Sequence, residues 1–246
     1  AILAPSLAKP ERTRTAHCGD RAAPIGCVAH MLFDEPLLPG TLIERYKRFM
    51  ADVRLGTGET VTAHCANPGS MLGLTEPGSA VWLSRASNPK RKLAYTWELI
   101  QPTGAAHGRD CMVGVNSMRP NAIAEEAIRA GAVGELTGYA GVRREVRYGE
   151  NSRIDLLLES PTRAPCYVEV KNVHLCRVPG LAEFPDSVTA RGAKHLRELG
   201  RMVEAGHRAV MLYVVQRTDC TRFAISADID PAYGEALATA RGLGVE

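Results

Sequence analysis

Aromatic residues are scarce in this chain, at 5% of 246 positions, while hydrophobic residues of all kinds reach 45%. Aliphatic packing must therefore carry whatever core it forms. Long apolar runs are missing too. None approaches the roughly 20 residues a helix needs to cross a bilayer. The apolar start Ala1-Ile2-Leu3-Ala4 is broken by Pro5, too early for the apolar region of a signal peptide. Paired cysteine spacings are also absent: seven cysteines make an odd number, with no C-x-x-C. Thiols in a reducing compartment fit best, so a cytoplasmic protein is expected. Cys166, His174 and Cys176 lie close in sequence, but nothing completes a tetrahedral zinc set at recognisable spacing, and zinc is not expected. Finally, there is little net charge. Of the formal +3, the segment 1–30 supplies +2, since Lys9, Arg12, Arg14 and Arg21 stand against Glu11 and Asp20. Global charge is thus no argument for a nucleic-acid partner, and any basic footprint must be local.

What is present falls into three stretches. Residues 1–30 hold Pro5, Pro10 and Pro24, scattered charge and no periodicity, and the first methionine is Met31. They are expected to be a disordered extension. Residues 31–105 read as short strands separated by turns. Tyr46 to Arg54 alternates with Phe49, Ala51 and Val53 on one face, and Gly56-Thr57-Gly58 turns it into Glu59–Cys65. Asn67-Pro68-Gly69 and Glu76-Pro77-Gly78 are further turns, and 80–83, 95–99 and 112–115 further strands. So many short strands suggest a small OB-like β-barrel. In 106–246 the pattern changes to a helix over 121–130, strands at 143–148, 153–158 and 167–173, an amphipathic helix over 188–205, a buried strand over 209–215 and a last helix over 231–241. That order of helix, three strands, helix and strand matches the α/β core of a restriction-endonuclease-like fold.

The chemistry centres on Ser152-Arg153-Ile154-Asp155 and Tyr167-Val168-Glu169-Val170-Lys171. Side chains alternate along a strand, so Glu169 and Lys171 share a face while Val168 and Val170 take the other. If the two strands are antiparallel neighbours, Asp155 comes beside Glu169. Two carboxylates that close repel unless a cation sits between them, and oxygen ligands suit Mg2+, with Mn2+ as substitute. This is the pattern of the PD-(D/E)xK metal-dependent nucleases, in which Lys171 would orient or activate the attacking water. Glu126, on the first helix, is the candidate third metal ligand. The plainer alternative is a solvated Glu169–Lys171 ion pair, contributing about 0–1 kcal/mol. Arg191, Lys194 and His195 fall at i, i+3 and i+4 on one helix face and could meet phosphates, although a Lys194–Glu198 pair on a solvated face would explain the same charges. Asp186 is placed to cap that helix. In the barrel, Lys90, Arg91 and Lys92 form a basic turn near Tyr95 and Trp97, and Arg45, Lys47 and Arg48 surround Tyr46. Basic loops beside aromatic strands hold nucleic acid through phosphate contacts and stacking; the alternative is ordinary solubilising charge.

Several motifs in order make the chain resemble the sugar fermentation stimulation protein A family. They are Thr41-Leu42-Ile43-Glu44-Arg45-Tyr46-Lys47-Arg48-Phe49, His64-Cys65-Ala66-Asn67-Pro68-Gly69-Ser70-Met71, Asn88-Pro89-Lys90-Arg91-Lys92, Glu145-Val146-Arg147-Tyr148-Gly149, the two acidic strands above, Phe184-Pro185-Asp186-Ser187-Val188-Thr189-Ala190-Arg191-Gly192 and Lys194-His195-Leu196-Arg197-Glu198-Leu199. The resemblance runs from Met31 to Glu246. It implies an OB-like domain followed by a nuclease-like domain, DNA binding without strong sequence preference, and a proposed regulatory role in sugar (maltose) metabolism. It carries the nuclease-like acids onto Asp155 and Glu169 with Lys171, and the helix acid onto Glu126. The chain departs from the pattern where Ile154, not proline, precedes Asp155. It also stops at Gly244-Val245-Glu246, where family members continue into another apolar strand, so truncation and an unpaired sheet edge are expected. The expected function is therefore a DNA-binding protein on a Mg2+-dependent nuclease scaffold. An active nuclease cleaving phosphodiesters, or an RNA-binding module, is the alternative.

Overall fold

The computed structural model describes residues 33, 35–104, 107 and 110–246, together with two short backbone stretches, β1 (Ile2–Leu3) and β2 (Ala23–Pro24). Apart from those two paired stretches, the disordered extension expected over residues 1–30 lies outside the described residues.

Five strands close the first barrel: β3 (Leu38–Tyr46), β4 (Met50–Leu55), β5 (Thr60–His64), β6 (Ala80–Arg85) and β7 (Tyr95–Gln101). Each pairs antiparallel with its neighbour except at the seam, where β5 and β7 run parallel through Ala63↔Tyr95 and His64↔Thr96. Closure removes the edges that an open sheet would expose. Alternate residues point inward, and Ala51, Val53, Val61, Ala63, Val81 and Leu83 meet Leu42, Trp97 and Ile100 in one core. Aliphatic residues fill it around a single buried tryptophan. The strand expected to run unbroken from 46 to 54 is instead a hairpin. Lys47 (φ 47°) and Arg48 (φ 64°) both adopt left-handed backbone, which reverses the chain and leaves Phe49 in the turn, exposed rather than inward. β8 (Val113–Gly114) adds to β7, so the barrel sheet extends past the boundary expected at 105.

The second domain opens with α1 (Pro120–Arg129), then β9 (Gly141–Tyr148), β10 (Ser152–Ser160) and β11 (Arg163–Val173). Next come β12 (Leu175–Val178), β13 (Leu181–Phe184), α2 (Ala190–Glu204), β14 (Arg208–Val215), β15 (Arg222–Ile225) and α3 (Pro231–Gly242). The main sheet has the order β1-β14-β11-β10-β9. β10 is antiparallel to both neighbours, whereas β11 and β14 are parallel and therefore need the α2 crossover between them. The expected order of helix, three strands, helix and strand is present. Helices cover both faces: α1 packs Ala124, Ala127 and Ile128 on Leu156, Val168 and Leu212, and α2 packs Leu196 and Leu199 on Ile154, Leu157 and Met211. Covered on both sides, β14 is apolar almost throughout. Its outer edge, expected to be open, is met by β1 and by Glu246, whose backbone exchanges hydrogen bonds with Ala209 and Met211. A second small sheet, β12-β13-β15-β2, was not anticipated, because strands of four residues are too short to show alternation.

α2 starts later than its periodicity suggested. Thr189 caps it, accepting from the Gly192 N–H at 3.1 Å, and Val188 is left outside and exposed. Asp186, expected as the cap, instead ties the two domains together. Its Oδ2 accepts from Met71 N and Ser70 Oγ at 3.2 Å each, and its carbonyl from Ser70 Oγ at 2.9 Å. Arg119 adds a second tie by pairing with Glu98 of the barrel at 2.8 Å.

Candidate metal and nucleic-acid site

The antiparallel register Leu156↔Val168 and Leu157↔Tyr167 sets Asp155 beside Glu169 at the next step along the pair. Asp155 Oδ2 accepts the Val170 N–H at 2.7 Å, and Oδ1 accepts from Asn121 Nδ2 of α1 at 2.9 Å. Burial and the neighbouring Glu169 charge push its carboxyl above the ordinary aspartate value, although these two donors and Lys171 oppose the rise.

Glu169 is 2% exposed and faces α2. Its Oε1 accepts from Lys171 Nζ at 2.6 Å and from His195 Nδ1. Burial would raise this carboxyl, but the hydrogen bonds and charges of His195 and Lys171 outweigh it and hold the group below its ordinary value. Arg191 Nε donates to His195 Nε2 at 3.2 Å. A guanidinium can only donate, so Nε2 accepts and Nδ1 carries the proton given to Glu169. The Glu169–Lys171 pair is accordingly not a solvated surface contact, as both side chains are largely buried. Removing one partner of such a pair strands the other, at about 3–5 kcal/mol.

One oxygen of this centre has no hydrogen-bond partner: Glu169 Oε2, buried and unsatisfied. Among the described residues, the same holds for Tyr148 Oη and for both carboxylate oxygens of Glu198, which forms an ion pair with Lys194 Nζ at 3.6 Å. Burial, followed by the charges of Glu169, Glu198 and Asp155, raises the Tyr148 phenol, so these groups share one electrostatic neighbourhood. Three carboxylates, with the Lys171 ammonium close to Glu169, that of Lys194 farther from Glu198, and buried lone pairs without donors, suit a cation. Mg2+ is commonly held by one or two carboxylates with waters completing its shell, so Asp155 and Glu169 suffice as protein ligands. Glu126 is placed differently. It is exposed and lines an open hollow with Ala122, Glu125, Arg129 and Arg144, while Asn121 is the α1 residue that reaches Asp155. Among the described residues, Asp155, Glu169 and Glu126 do not bring ligand atoms within 4.8 Å of one another. Asn121, Tyr148 and Glu198 were not singled out from the sequence as part of this centre.

The candidate phosphate-binding groups divide by exposure. Lys47 and Arg48 are exposed in the β3–β4 turn, and Lys90, Arg91 and Lys92 in the β6–β7 loop. They lie at one end of the barrel, because His64 pairs with Met50 and Thr96 and its Nδ1 is 3.2 Å from Arg91 Nη2. Arg45 is a staple instead, its Nη2 donating to the carbonyls of Arg48, Asn67 and Gly69. The loop through Asn67 and Met71 leaves this end and docks on Asp186, so the basic rim adjoins the start of α2. There Arg191 is exposed and Lys194 half-exposed, but His195 is buried against Glu169 and does not face solvent.

A closed OB-type barrel joined to a restriction-endonuclease-like domain, with Asp155, Glu169 and Lys171 on adjacent central strands, is the class this architecture defines. Residues 43–115 match the SfsA N-terminal OB domain, and residues 118–246 match the sugar fermentation stimulation protein RE domain. The chain belongs to the sugar fermentation stimulation protein family. The homolog from Rhodospirillum centenum is 60% identical over 88% of this chain and 90% of that protein. The one from Ruegeria sp. is 58% identical over 88% and 91% respectively. The solved structure of Pyrococcus furiosus SfsA in complex with Ca2+ aligns at a TM-score of 0.78 and 26% identity, covering 89% of each chain. No helix among the described residues is long and apolar enough to cross a membrane.

Proposed function

We propose that this chain binds DNA through its backbone, without strong sequence preference, and holds Mg2+ at the nuclease-like centre, in a regulatory role in sugar (maltose) metabolism. The observation that carries the reading is Glu169, buried beside Asp155 and Lys171 with Oε2 unsatisfied. A hard divalent cation is what such oxygens accept, and the related Pyrococcus furiosus protein is found with Ca2+. Lys47, Arg48, Lys90, Arg91 and Lys92 on the barrel rim, with Arg191 and Lys194 beside it, supply the phosphate contacts. Such contacts position a strand without reading its sequence.

Phosphodiester hydrolysis is the second reading, favoured because the acid pair and the lysine are all in place. Bound Mg2+ supplies Lewis-acid polarisation of phosphate and a more acidic water. The residues would contribute the rest: Asp155 and Glu169 would hold the cation, while Lys171 places a proton donor beside Glu169 Oε1, and His195, itself bonded to Arg191, fixes the Glu169 carboxylate. The test is one set of incubations with single- and double-stranded DNA and RNA, with Mg2+ or Mn2+, for the parent chain, Asp155→Ala and Lys171→Ala. DNA binding that weakens steeply with salt is expected, and a flat salt response refutes phosphate contacts. Cleavage abolished by both substitutions establishes the nuclease. Binding with no cleavage leaves the DNA-binding reading alone, and tighter binding to RNA than to DNA would replace DNA as the partner.

A further inference from the structure

Away from the nuclease-like centre, three distant segments converge on the junction between the domains. His107 and Cys111 come from the stretch that follows the barrel, Cys176 from β12, and Asp219 and Cys220 from the β14–β15 loop. Among the described residues, a ring nitrogen of His107, Cys176 Sγ and a carboxylate oxygen of Asp219 lie within 4.8 Å of one another. Cys220 Sγ is 3.6 Å from Asp219 Oδ1 and hydrogen-bonds with Cys176. Cys176 and Cys220 are buried. We infer that His107, Cys176, Cys220 and Asp219 form a binding site for a thiophilic divalent cation, Zn2+, that clasps the segment following the barrel to the nuclease-like domain.

The donor set is chemically apt. Two thiolates, an imidazole and a carboxylate make a four-coordinate site of the kind zinc accepts. His107 is already oriented for it. Its Nε2 is 3.2 Å from the Gly73 carbonyl, which can only accept, so Nε2 bears the hydrogen and the Nδ1 lone pair points into the cluster. A ligating histidine commonly donates its second ring N–H to a backbone carbonyl in this way. At present Nδ1 accepts from Arg217 Nη2 at 3.0 Å. A cationic group thus already sits where the ligands converge.

Arg217 is compatible with a metal as well as a stand-in for one. Its Nε and Nη1 are held by Asp219 Oδ1 at 3.0 Å and the His174 carbonyl at 2.8 Å, and neither bond involves His107. Releasing His107 leaves the guanidinium anchored. Asp219, though bidentate to Arg217, keeps lone pairs on each oxygen. Two thiolates and one carboxylate carry three negative charges, which Zn2+ and Arg217 match, and the two thiol protons pass to solvent on binding. The site needs soft donors, whereas the Asp155–Glu169 centre is all oxygen, so the two select different ions.

The test uses the full chain purified from zinc-supplemented medium and dialysed against a weak chelator, with zinc then measured by mass spectrometry. Stoichiometric zinc is expected. Replacement by Co2+ should give tetrahedral bands with sulfur-to-cobalt charge transfer. Cys176→Ser should reduce the charge transfer to the share of Cys220 alone, or weaken zinc by more than the roughly 10- to 100-fold that loss of an outer-shell partner costs. His107→Gln serves the same purpose if Cys176→Ser does not fold, and Cys166→Ser, in the other core, should change nothing. A folded parent chain that retains no zinc overturns the site and leaves Arg217 as its sole cation. Unchanged affinity in His107→Gln overturns it as well. So does zinc that is lost on Glu169→Gln but kept by Cys176→Ser, which would assign the metal to the nuclease-like centre.

Discussion

Replacing Asp186 with alanine should loosen the junction that brings the barrel rim to the nuclease-like domain. The carboxylate accepts from Met71 N and Ser70 Oγ at 3.2 Å, from His174 Nε2 at 3.3 Å and from Ser187 Oγ at 3.2 Å. The two serine hydroxyls can turn to water after the substitution. Met71, which is 0% exposed, and His174, at 6%, cannot, and both would be left with stranded donors. Each stranded buried donor costs about 1–3 kcal/mol, and loss of one partner of a buried pair costs about 3–5 kcal/mol. Taking the latter for the whole change, and about 2–4 °C per kcal/mol for a chain of this size, the melting temperature should fall by about 6–20 °C. Scanning calorimetry and urea titration of the parent, Asp186→Ala and Asp186→Asn measure it, with the asparagine variant falling between the others because it keeps one acceptor. The pH dependence adds a second check. Although burial opposes it, contact with His174, the Met71 N–H and Ser187 holds the Asp186 carboxyl well below the ordinary carboxylate range. A depressed folded-state value means the stabilisation is fully present above the unfolded value, near 4, and is lost as pH falls toward the folded one. The gap between parent and Asp186→Ala should therefore narrow below about pH 4. A destabilisation under about 1 kcal/mol at neutral pH, or a gap that widens in acid, would refute the reasoning.

Glu169→Gln should weaken Mn2+ binding, followed by electron paramagnetic resonance, by more than about tenfold while the chain stays folded; equal binding by parent and variant would remove Glu169 from the metal site. The Asp155 carboxyl is raised by burial and by Glu169, so ionised Asp155 destabilises the metal-free fold as pH rises through its folded value, and a cation relieves that. Divalent-cation affinity should consequently climb as pH rises above the ordinary carboxylate range and flatten in Asp155→Asn, and a parallel profile in the two proteins contradicts this. Replacing Lys90, Arg91 and Lys92 together by alanine should lower the slope of log K against log salt by about 0.9 per lost contact with duplex DNA, and an unchanged slope would show that this loop does not touch phosphate.

The acid pair was legible because two simple periods place it. Alternation along a strand puts Glu169 and Lys171 on one face, and antiparallel order brings Asp155 opposite, which is where the register puts it. The order of helices and strands was readable for the same reason, since β14 and α2 are long enough to show their pattern. Three other features left no such trace. The β3–β4 reversal is made by Lys47 and Arg48 in left-handed backbone, without the glycine or asparagine that marks such turns. Asp186 has the composition of a helix cap, but the cap fell to Thr189 because the barrel loop competes for the carboxylate. The His107, Cys176 and Asp219 cluster gathers residues from three segments, so no spacing in the chain announces it.

α2 shows a different limit, and one the sequence could have overcome. Spacing put Arg191, Lys194 and His195 on one side of the helix, but spacing alone does not say which part of that side is wet. The buried arc includes Leu196 and Leu199, and His195 and Glu198 each precede one of those leucines by a single residue. Around the helix, Glu198 therefore lies one step, about 100°, from Leu199, and His195, four residues before Leu199, only about 40° from it. A histidine and a glutamate three residues apart at that margin must find partners indoors or lose solvation. His195 finds Glu169, whereas neither carboxylate oxygen of Glu198 finds a hydrogen bond among the described residues and only Lys194 Nζ, at 3.6 Å, pairs with it. A polar pair at the edge of an apolar stripe is thus a stronger pointer to an internal site than a cluster of charge on the open face. In this chain it leads to the strand that carries Glu169 and Lys171.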